Sequence, residues 1–364
     1  MTPQRPTWLP KFVPELDGLR GLAVLGVIFY HCHPRFEGTP LHYASLWGWA
    51  GVNLFFVLSG FLITSILLES REKPRYFRNF YGRRALRIWP VYVLVLGIVY
   101  AQSDWFIGPK PWDAIKAAPW FAYVFFVQNL FHLALPPAIG PTWSLAIEQQ
   151  YYLLWAPGVR FLRRPWMLAS VLAAALVCSP LLRHLNLAWI GLNHTLIKLD
   201  GIAIGSLLAL GLHTLTLSRR TWLWIGLGAF VLGIAASATV AGGTSMLDSA
   251  LATAFAGAVL AAIASTSGAP GDRSSSQGWT GARSPINAML RRGPLAFYGR
   301  ISYGLYMIHI MVFIYLGSFD ARMNAYGIPG NMAVVAMRLA VSTTAAAALW
   351  YGFESQILKL KRYF

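Results

Sequence analysis

Pro14-Glu-Leu-Asp-Gly-Leu-Arg-Gly-Leu-Ala-Val-Leu-Gly-Val-Ile-Phe-Tyr-His31 is an apolar stretch that carries Asp17 and Arg20 near its start and His31 at its end. Read as a helix, it sets Arg20 and His31 eleven residues apart. At about 3.6 residues per turn that is close to three turns, so both side chains leave the same side, roughly 16 Å apart along the axis. Ionisable groups inside a membrane segment are costly and face a protein interior or a wet cavity. The spacing therefore predicts one polar cavity with Arg20 at its mouth and His31 deeper. A plainer reading, Arg20 as a headgroup anchor, leaves His31 without a purpose.

The rest of the composition agrees with a membrane body. Hydrophobic residues make up 56% of the 364 and charged residues only 12%, and the mean hydropathy is +0.52, outside the usual soluble range. A net charge of +17 invites a nucleic-acid partner. The basic residues, however, fall in short clusters between long apolar runs, the pattern of cytoplasmic loops, so a lipid bilayer is expected and nucleic acid is not. Cys32 and Cys178 are the only cysteines; their spacing suggests neither a disulfide framework nor a metal site. No small-residue cleavage site closes the first apolar run, so a cleavable signal is not expected.

Eleven apolar stretches can be marked, at about 16–33, 48–69, 83–102, 118–134, 143–159, 165–182, 197–213, 221–241, 246–265, 297–316 and 331–353. Charge decides which of them cross. With a cytoplasmic N-terminus, the basic clusters at 71–87, 160–164, 219–220, 291–292 and 359–362 all fall inside if one stretch between 102 and 143 does not cross. The outer segments then keep only Arg35, Lys110, Lys116, Arg183, Lys198 and Arg322. The weakest stretch is 118–134, short, proline-flanked and carrying Gln128, Asn129 and His132; it reads as a re-entrant or interfacial segment packed within protein. The expected fold is an all-α integral membrane protein: about ten transmembrane helices around a central polar cavity, one domain over 1–364, both termini cytoplasmic. A Gly-, Ser- and Pro-rich segment at about 266–293 reads as a flexible cytoplasmic loop. No internal repeat is visible, which counts against an inverted-repeat transporter.

Four constellations carry candidate chemistry. A lone histidine on an apolar helix is more often a satisfied core residue than a base, but His31 shares a face with Arg20 and suits general-base work near neutral pH. Arg84 and Arg87 are neighbours on one helical face; they either anchor a helix at the cytoplasmic surface or grip the phosphates of a donor such as an acyl-CoA. Glu148, amid Gln149, Gln150, Tyr151 and Tyr152, must be protonated, paired or solvated at membrane depth. It can bind an acceptor hydroxyl, orient an imidazole or serve a structural network. Tyr306 and His309 share a face in Ser302-Tyr-Gly-Leu-Tyr-Met-Ile-His309, and His309 rivals His31 as the base. Asp200 is a further polar group at the start of a span. Arg338 and Glu354 read as helix-orienting, Asn53 and Ser59 as structural, and Cys32 as an inert buried thiol.

Taken in order, Leu16-Asp-Gly-Leu-Arg20 with ten residues before His31, Phe55-Phe-Val-Leu-Ser-Gly-Phe61, Arg84-x-x-Arg87, Trp143-Ser-Leu-x-x-Glu148 and Ser302-Tyr-x-Leu-Tyr-x-x-His309 resemble the acyltransferase-3 family of integral membrane O-acyltransferases. The resemblance covers almost the whole chain. It implies an acyl-CoA donor from the cytoplasm, acetyl-CoA foremost, and an acceptor sugar hydroxyl on the outer side. It also implies that Arg20 and His31 form an essential pair and that Arg84 and Arg87 engage the donor. Asn53 stands where the family often has Asp, and Glu-Gln-Gln-Tyr replaces the commoner Glu-Glu-Gln-Phe after Trp-Ser-Leu. The SGNH-type esterase domain fused to some relatives is not in this sequence, which is read as a stand-alone form.

The reading that follows is an O-acetyltransferase of the bacterial inner membrane. Its expected acceptor is an exopolysaccharide, a surface glycan or a lipid-linked oligosaccharide precursor. His31, Arg20 and Glu148 are the expected catalytic groups and Arg84 and Arg87 the donor-binding ones. Asp17, Tyr303, Tyr306 and His309 are the expected substrate contacts; no metal is expected, and polysaccharide-assembly proteins are candidate partners. The alternatives are a transporter or flippase for lipid-linked sugars, and a non-catalytic scaffold.

Overall fold

The computed structural model describes residues 5–10, 12–105, 119–130, 137–187, 191, 193–239, 245–266, 285–291 and 293–364. Among these residues the chain is helical almost throughout and forms no strand. In chain order the helices are α1 (Pro14–His31), α2 (Leu41–Leu46), α3 (Ala50–Ser70), α4 (Tyr76–Trp105), α5 (Trp120–Val124), α6 (Thr142–Phe161), α7 (Pro165–Leu185) and α8 (Leu199–Thr214). They continue with α9 (Arg219–Thr239), α10 (Leu247–Ala264), α11 (Pro285–Leu290), α12 (Gly293–Tyr315), α13 (Gly317–Met323), α14 (Gly327–Leu349) and α15 (Ser355–Leu358).

This is an all-α membrane protein. Among the described residues seven helical runs are long and apolar enough to cross a bilayer: Leu41–Ser70, Tyr76–Ala101, Pro165–Leu185, Arg219–Thr239, Leu247–Ala264, Gly293–Tyr315 and Gly317–Tyr363. Leu199–Thr214 is apolar but shorter. Every stretch expected to span carries a helix among its described residues. The two long helices outside the seven are α1, which carries Glu15, Asp17 and Arg20, and α6, which carries Glu148, Gln149 and Gln150. Their polar content is the content of the site.

Close backbone approach sets the partners. A Cβ on Gly18 would overlap the carbonyl of Leu290, one on Gly21 that of Leu295, and one on Gly299 that of Asp17, so α1 lies backbone to backbone against α12 and the α11 segment before it. Gly51 meets Ala23 in the same way, joining α3 to α1, while Gly60 and Gly205 let α3 and α8 meet at Ile202 and Val57. Small residues at such crossings are what membrane helices use where no hydrophobic drive separates helix from lipid.

The segment expected to be re-entrant begins as the short α5 and then turns, with Phe126 at φ 53°; positions 118 and 131–134, including His132, lie outside the described residues. Its polar side chains are buried in protein. Gln128 donates to the Thr142 carbonyl (3.3 Å) and Asn129 to Thr195 Oγ1 (2.8 Å), while Gln150 of α6 donates to the Phe126 carbonyl (2.7 Å) and Asn129 Oδ1 (2.8 Å). Irregular backbone is tolerated at membrane depth where protein satisfies it in this way. Of the loop expected at 266–293, residues 267–284 and 292 lie outside the described residues; α11 occupies its C-terminal part.

Candidate functional site

The seam between α1 and α12 brings two histidines together. His309 is completely buried, and its Nε2 lies 3.3 Å from Nδ1 of the partly exposed His31, the rings 4.9 Å apart between centroids. His309 Nδ1 is 2.8 Å from the Tyr306 carbonyl, and His31 Nδ1 is 2.9 Å from the Val27 carbonyl. Carbonyls only accept, so these partners assign the protons. His309 donates from Nδ1 and keeps a lone pair on Nε2; His31 donates from Nδ1 and keeps its lone pair on Nε2. Two backbone carbonyls thus leave His31 Nε2 as the unprotonated ring nitrogen. Ser144 Oγ and Tyr306 OH share a 2.8 Å hydrogen bond beside the pair, and Phe313 stands edge-on to His309 at 5.8 Å.

The other end of α1 is cationic. Arg20 pairs loosely with Asp17 at 3.4 Å and keeps 31% of its side chain exposed. Arg87 lies 3.8 Å from Glu354, between the rings of Tyr303 (5.9 Å) and Trp350 (5.4 Å). Arg84 sits over the Tyr152 ring at 5.9 Å. Tyr303 donates to the Ile88 carbonyl at 2.7 Å, fixing α12 to α4 one turn beyond Arg84. Glu148 accepts from Ser59 Oγ (2.8 Å) and Tyr152 OH (3.0 Å), within electrostatic reach of Arg20 and Arg84. It therefore belongs with the arginines, and its hydrogen-bond donors are Ser59 and Tyr152 rather than an imidazole.

The candidates fall into two groups: His31, His309 and Tyr306 at one end of α1, and Arg20, Asp17, Arg84, Arg87, Glu148 and Tyr303 at the other. Ser59, Ser144 and Tyr152 join them as partners of site residues. Ser59 read as structural, since nothing local distinguishes a serine that packs from one that serves a distant carboxylate. Glu354, read as helix-orienting, is the counter-ion of Arg87. Arg338 lies 4.5 Å over the Phe313 ring and pairs with Asp320. Asn53 donates to Asp248 (3.1 Å) in a buried cluster where Lys198 also reaches Asp248 (2.7 Å) and Arg183 reaches Asp200 (2.7 Å). Cys32 is fully buried. Among the described residues no group of three or more His, Cys, Asp or Glu is placed to hold a metal ion.

Fold and site together define a helical membrane protein with a pair of imidazoles at one end of its first helix and a cluster of guanidinium groups at the other. The family model for the acyltransferase domain of the acyltransferase-3 type matches residues 13–351, and the chain belongs to that family. A peptidoglycan O-acetyltransferase, OatA of Listeria monocytogenes, is 38% identical over 158 residues, covering 40% of this chain and 24% of that protein. The putative peptidoglycan O-acetyltransferase YrhL of Bacillus subtilis is 32% identical over 190 residues, 46% of this chain and 28% of its own. The O-acetyltransferase OatA of Staphylococcus aureus is 31% identical over 186 residues, 47% of this chain and 28% of its own. These matches span about a quarter of each relative's length. No solved structure matches the chain.

Proposed function

We propose that this protein is a multi-pass O-acetyltransferase of the bacterial inner membrane. It takes an acetyl group from acetyl-CoA on the cytoplasmic side and esterifies a hydroxyl of a cell-wall, surface or exported glycan, or of its lipid-linked precursor. The observation that carries this reading is the layout along α1, with guanidinium groups at one end and an imidazole bearing a free ring nitrogen roughly 16 Å away at the other. An elongated thioester held by its phosphates fits that separation. Family membership supports acyl transfer, the relatives' names support acetyl and favour peptidoglycan among acceptors, and the charge pattern supports cytoplasmic termini.

In this reading Arg84 and Arg87 grip the phosphates of the donor, and Arg20 guides its thioester arm inward between Asp17 and Tyr303. His31 Nε2 takes the proton of the acceptor hydroxyl as its oxygen attacks the thioester carbonyl. The new C–O bond forms, the C–S bond breaks, and the imidazolium returns the proton to the departing thiolate. While His31 is protonated, its Nδ1–H faces two acceptors, the Val27 carbonyl and His309 Nε2. His309 is thus a positioning residue, itself fixed by the Tyr306 carbonyl, with Tyr306 and Ser144 beside it toward the acceptor. Glu148, anchored by Ser59 and Tyr152, holds the arginine end in register.

The test is mass spectrometry of surface, wall and secreted glycans from a deletion strain complemented with wild type, His31→Ala or Arg84→Ala at equal expression. The deletion should lack one acetyl increment, and only wild type should restore it. His31→Ala should lower the purified protein's kcat by roughly 10²–10⁴-fold, the ordinary worth of a general base. Unchanged acetylation with missing glycan would overturn the enzyme and bring a lipid-linked sugar transporter forward.

A further inference from the structure

Beyond the family match, which ends at 351, the chain turns back onto α4. After the wide turn Trp350–Glu354 and α15, the 3₁₀ turn Lys359–Tyr363 leads to Phe364. The Phe364 ring fills a notch at Gly82, where a Cβ would collide with it. Its carbonyl accepts from Arg83 Nε at 2.7 Å, and Arg78 lies 5.7 Å from its ring centroid. Gly82 and Arg78 are one turn apart on the same face of α4, so the seat is built from consecutive turns of the helix that carries Arg84 and Arg87.

Seating Phe364 brings Lys361 to the arginines. Its ammonium group lies within electrostatic reach of Arg87, Arg84, Arg83 and Arg20, and among the described residues it has no carboxylate partner. The carboxylates nearby are engaged: Asp17 with Arg20, Glu354 with Arg87, and Glu148 with Ser59 and Tyr152. Phe364 N–H donates to the Lys361 carbonyl at 3.2 Å, which holds Lys361 one turn from the Gly82 notch, and a fifth cation beside four others raises the cost of the empty site. Such an arrangement is favourable overall when a multiply charged anion enters it.

We propose that Lys361 is a donor-binding residue: the tail from Lys359 to Phe364, latched at Gly82, closes a five-cation cradle with Arg20, Arg83, Arg84 and Arg87 for the phosphates of a nucleotide thioester. The proposal rests on the reading that this end of α1 receives the donor. It adds a contact from outside the family match and a way of holding it in place.

The experiment uses the full-length protein in detergent or nanodiscs, with 3′,5′-ADP as a thioester-free probe of phosphate binding. Wild type, Lys361→Gln, Lys361→Arg and Arg84→Gln are titrated calorimetrically, and kcat/KM is compared for acetyl-CoA and the phosphate-free S-acetyl-N-acetylcysteamine. Lys361→Gln should weaken 3′,5′-ADP binding by roughly tenfold or more, the worth of one contact to a charged group. The preference for acetyl-CoA over the phosphate-free thioester should fall by the same factor, and Lys361→Arg should recover most of both. Gly82→Ala, which displaces Phe364, should reproduce the loss with Lys361 intact. If Arg84→Gln abolishes binding while Lys361→Gln and Gly82→Ala bind as wild type does, the tail plays no part and the donor reading stands. If wild type binds no 3′,5′-ADP, or Arg84→Gln leaves binding unchanged, the donor reading falls and the tail proposal with it.

Discussion

A single proton on His31 Nδ1 faces two acceptors, and that arrangement makes His309 more than a packing group. Replacing His309 with Phe keeps a planar ring but removes the acceptor at Nε2. The expected result is a fall in kcat of roughly tenfold or more, smaller than for His31→Ala, with KM for acetyl-CoA unchanged, because the Nδ1–H bond to His309 strengthens when His31 takes up the second proton, so its loss weighs most on that state. Equal losses in kcat and in thermal midpoint would mean that His309 merely fills space. A second residue-scale prediction concerns Asn53. Two cations, Arg183 and Lys198, already face two carboxylates, Asp200 and Asp248, so an Asp at 53 would be an uncompensated third. Asn53→Asp should therefore lower stability by about 1–3 kcal/mol. The exchange Asn53→Asp with Asp248→Asn, which restores the charge count, should recover most of it in a thermal-unfolding assay in detergent. The carboxylate beside position 53 is thus supplied from α10 by Asp248. The sequence singled out His31, His309, Arg84 and Arg87 because ionisable groups in apolar runs are conspicuous. It set His309 against His31 as a rival, whereas the two are hydrogen-bond partners, since contact across 278 residues leaves no local periodicity to read.

Helix partners, by contrast, depend on where backbones can touch. Gly299 of α12 and Gly18 and Gly21 of α1 allow the approach that carries His309 to His31 further along the same seam. Gly299→Val would place a branched side chain against the Asp17 carbonyl. The expected cost is about 1–3 kcal/mol, typical of overpacking, and activity should fall by more than the stability loss explains, because the seam also sets the distance between the imidazoles. Gly317→Val, which meets no neighbour at its Cβ, serves as the control and should leave the thermal midpoint within experimental error of wild type. Arg71 makes a different element-scale link. Its guanidinium donates to the carbonyls of Val159, Leu162 and Arg163 at 2.6, 2.9 and 3.3 Å, closing the C-terminus of α6, the helix that carries Glu148. Helices end with unpaired carbonyls that a cation satisfies well. In the sequence Arg71 belonged to a cytoplasmic basic cluster, a correct sign of loop chemistry that said nothing of the three carbonyls it serves.

At the scale of the whole molecule, one asymmetry organises the rest: the cations proposed to engage phosphate and the imidazole proposed to meet an acceptor lie at opposite ends of α1. For acyl transfer across a bilayer, those ends must face opposite compartments, and the predicted orientation gives them that placement. The basic clusters Arg71–Arg87, Arg160–Arg164 and Arg219–Arg220 lie toward the arginine end, while Arg35 and Arg322 sit with the histidine end. The prediction is a labelling pattern in intact cells. With Cys178 replaced by Ala and the buried Cys32 retained, a single Cys at exposed Glu37 or Arg322 should react with a membrane-impermeant maleimide from outside. A single Cys at exposed Lys73 or Arg362 should react only after the cells are opened. The reverse pattern would put the arginine end outside, away from the cytoplasmic pool of acyl-CoA, and the donor assignment of Arg84 and Arg87 would fail with it. Labelling of all four positions from outside would require the chain to lie on one surface. That outcome is difficult to reconcile with seven helical runs long and apolar enough to cross.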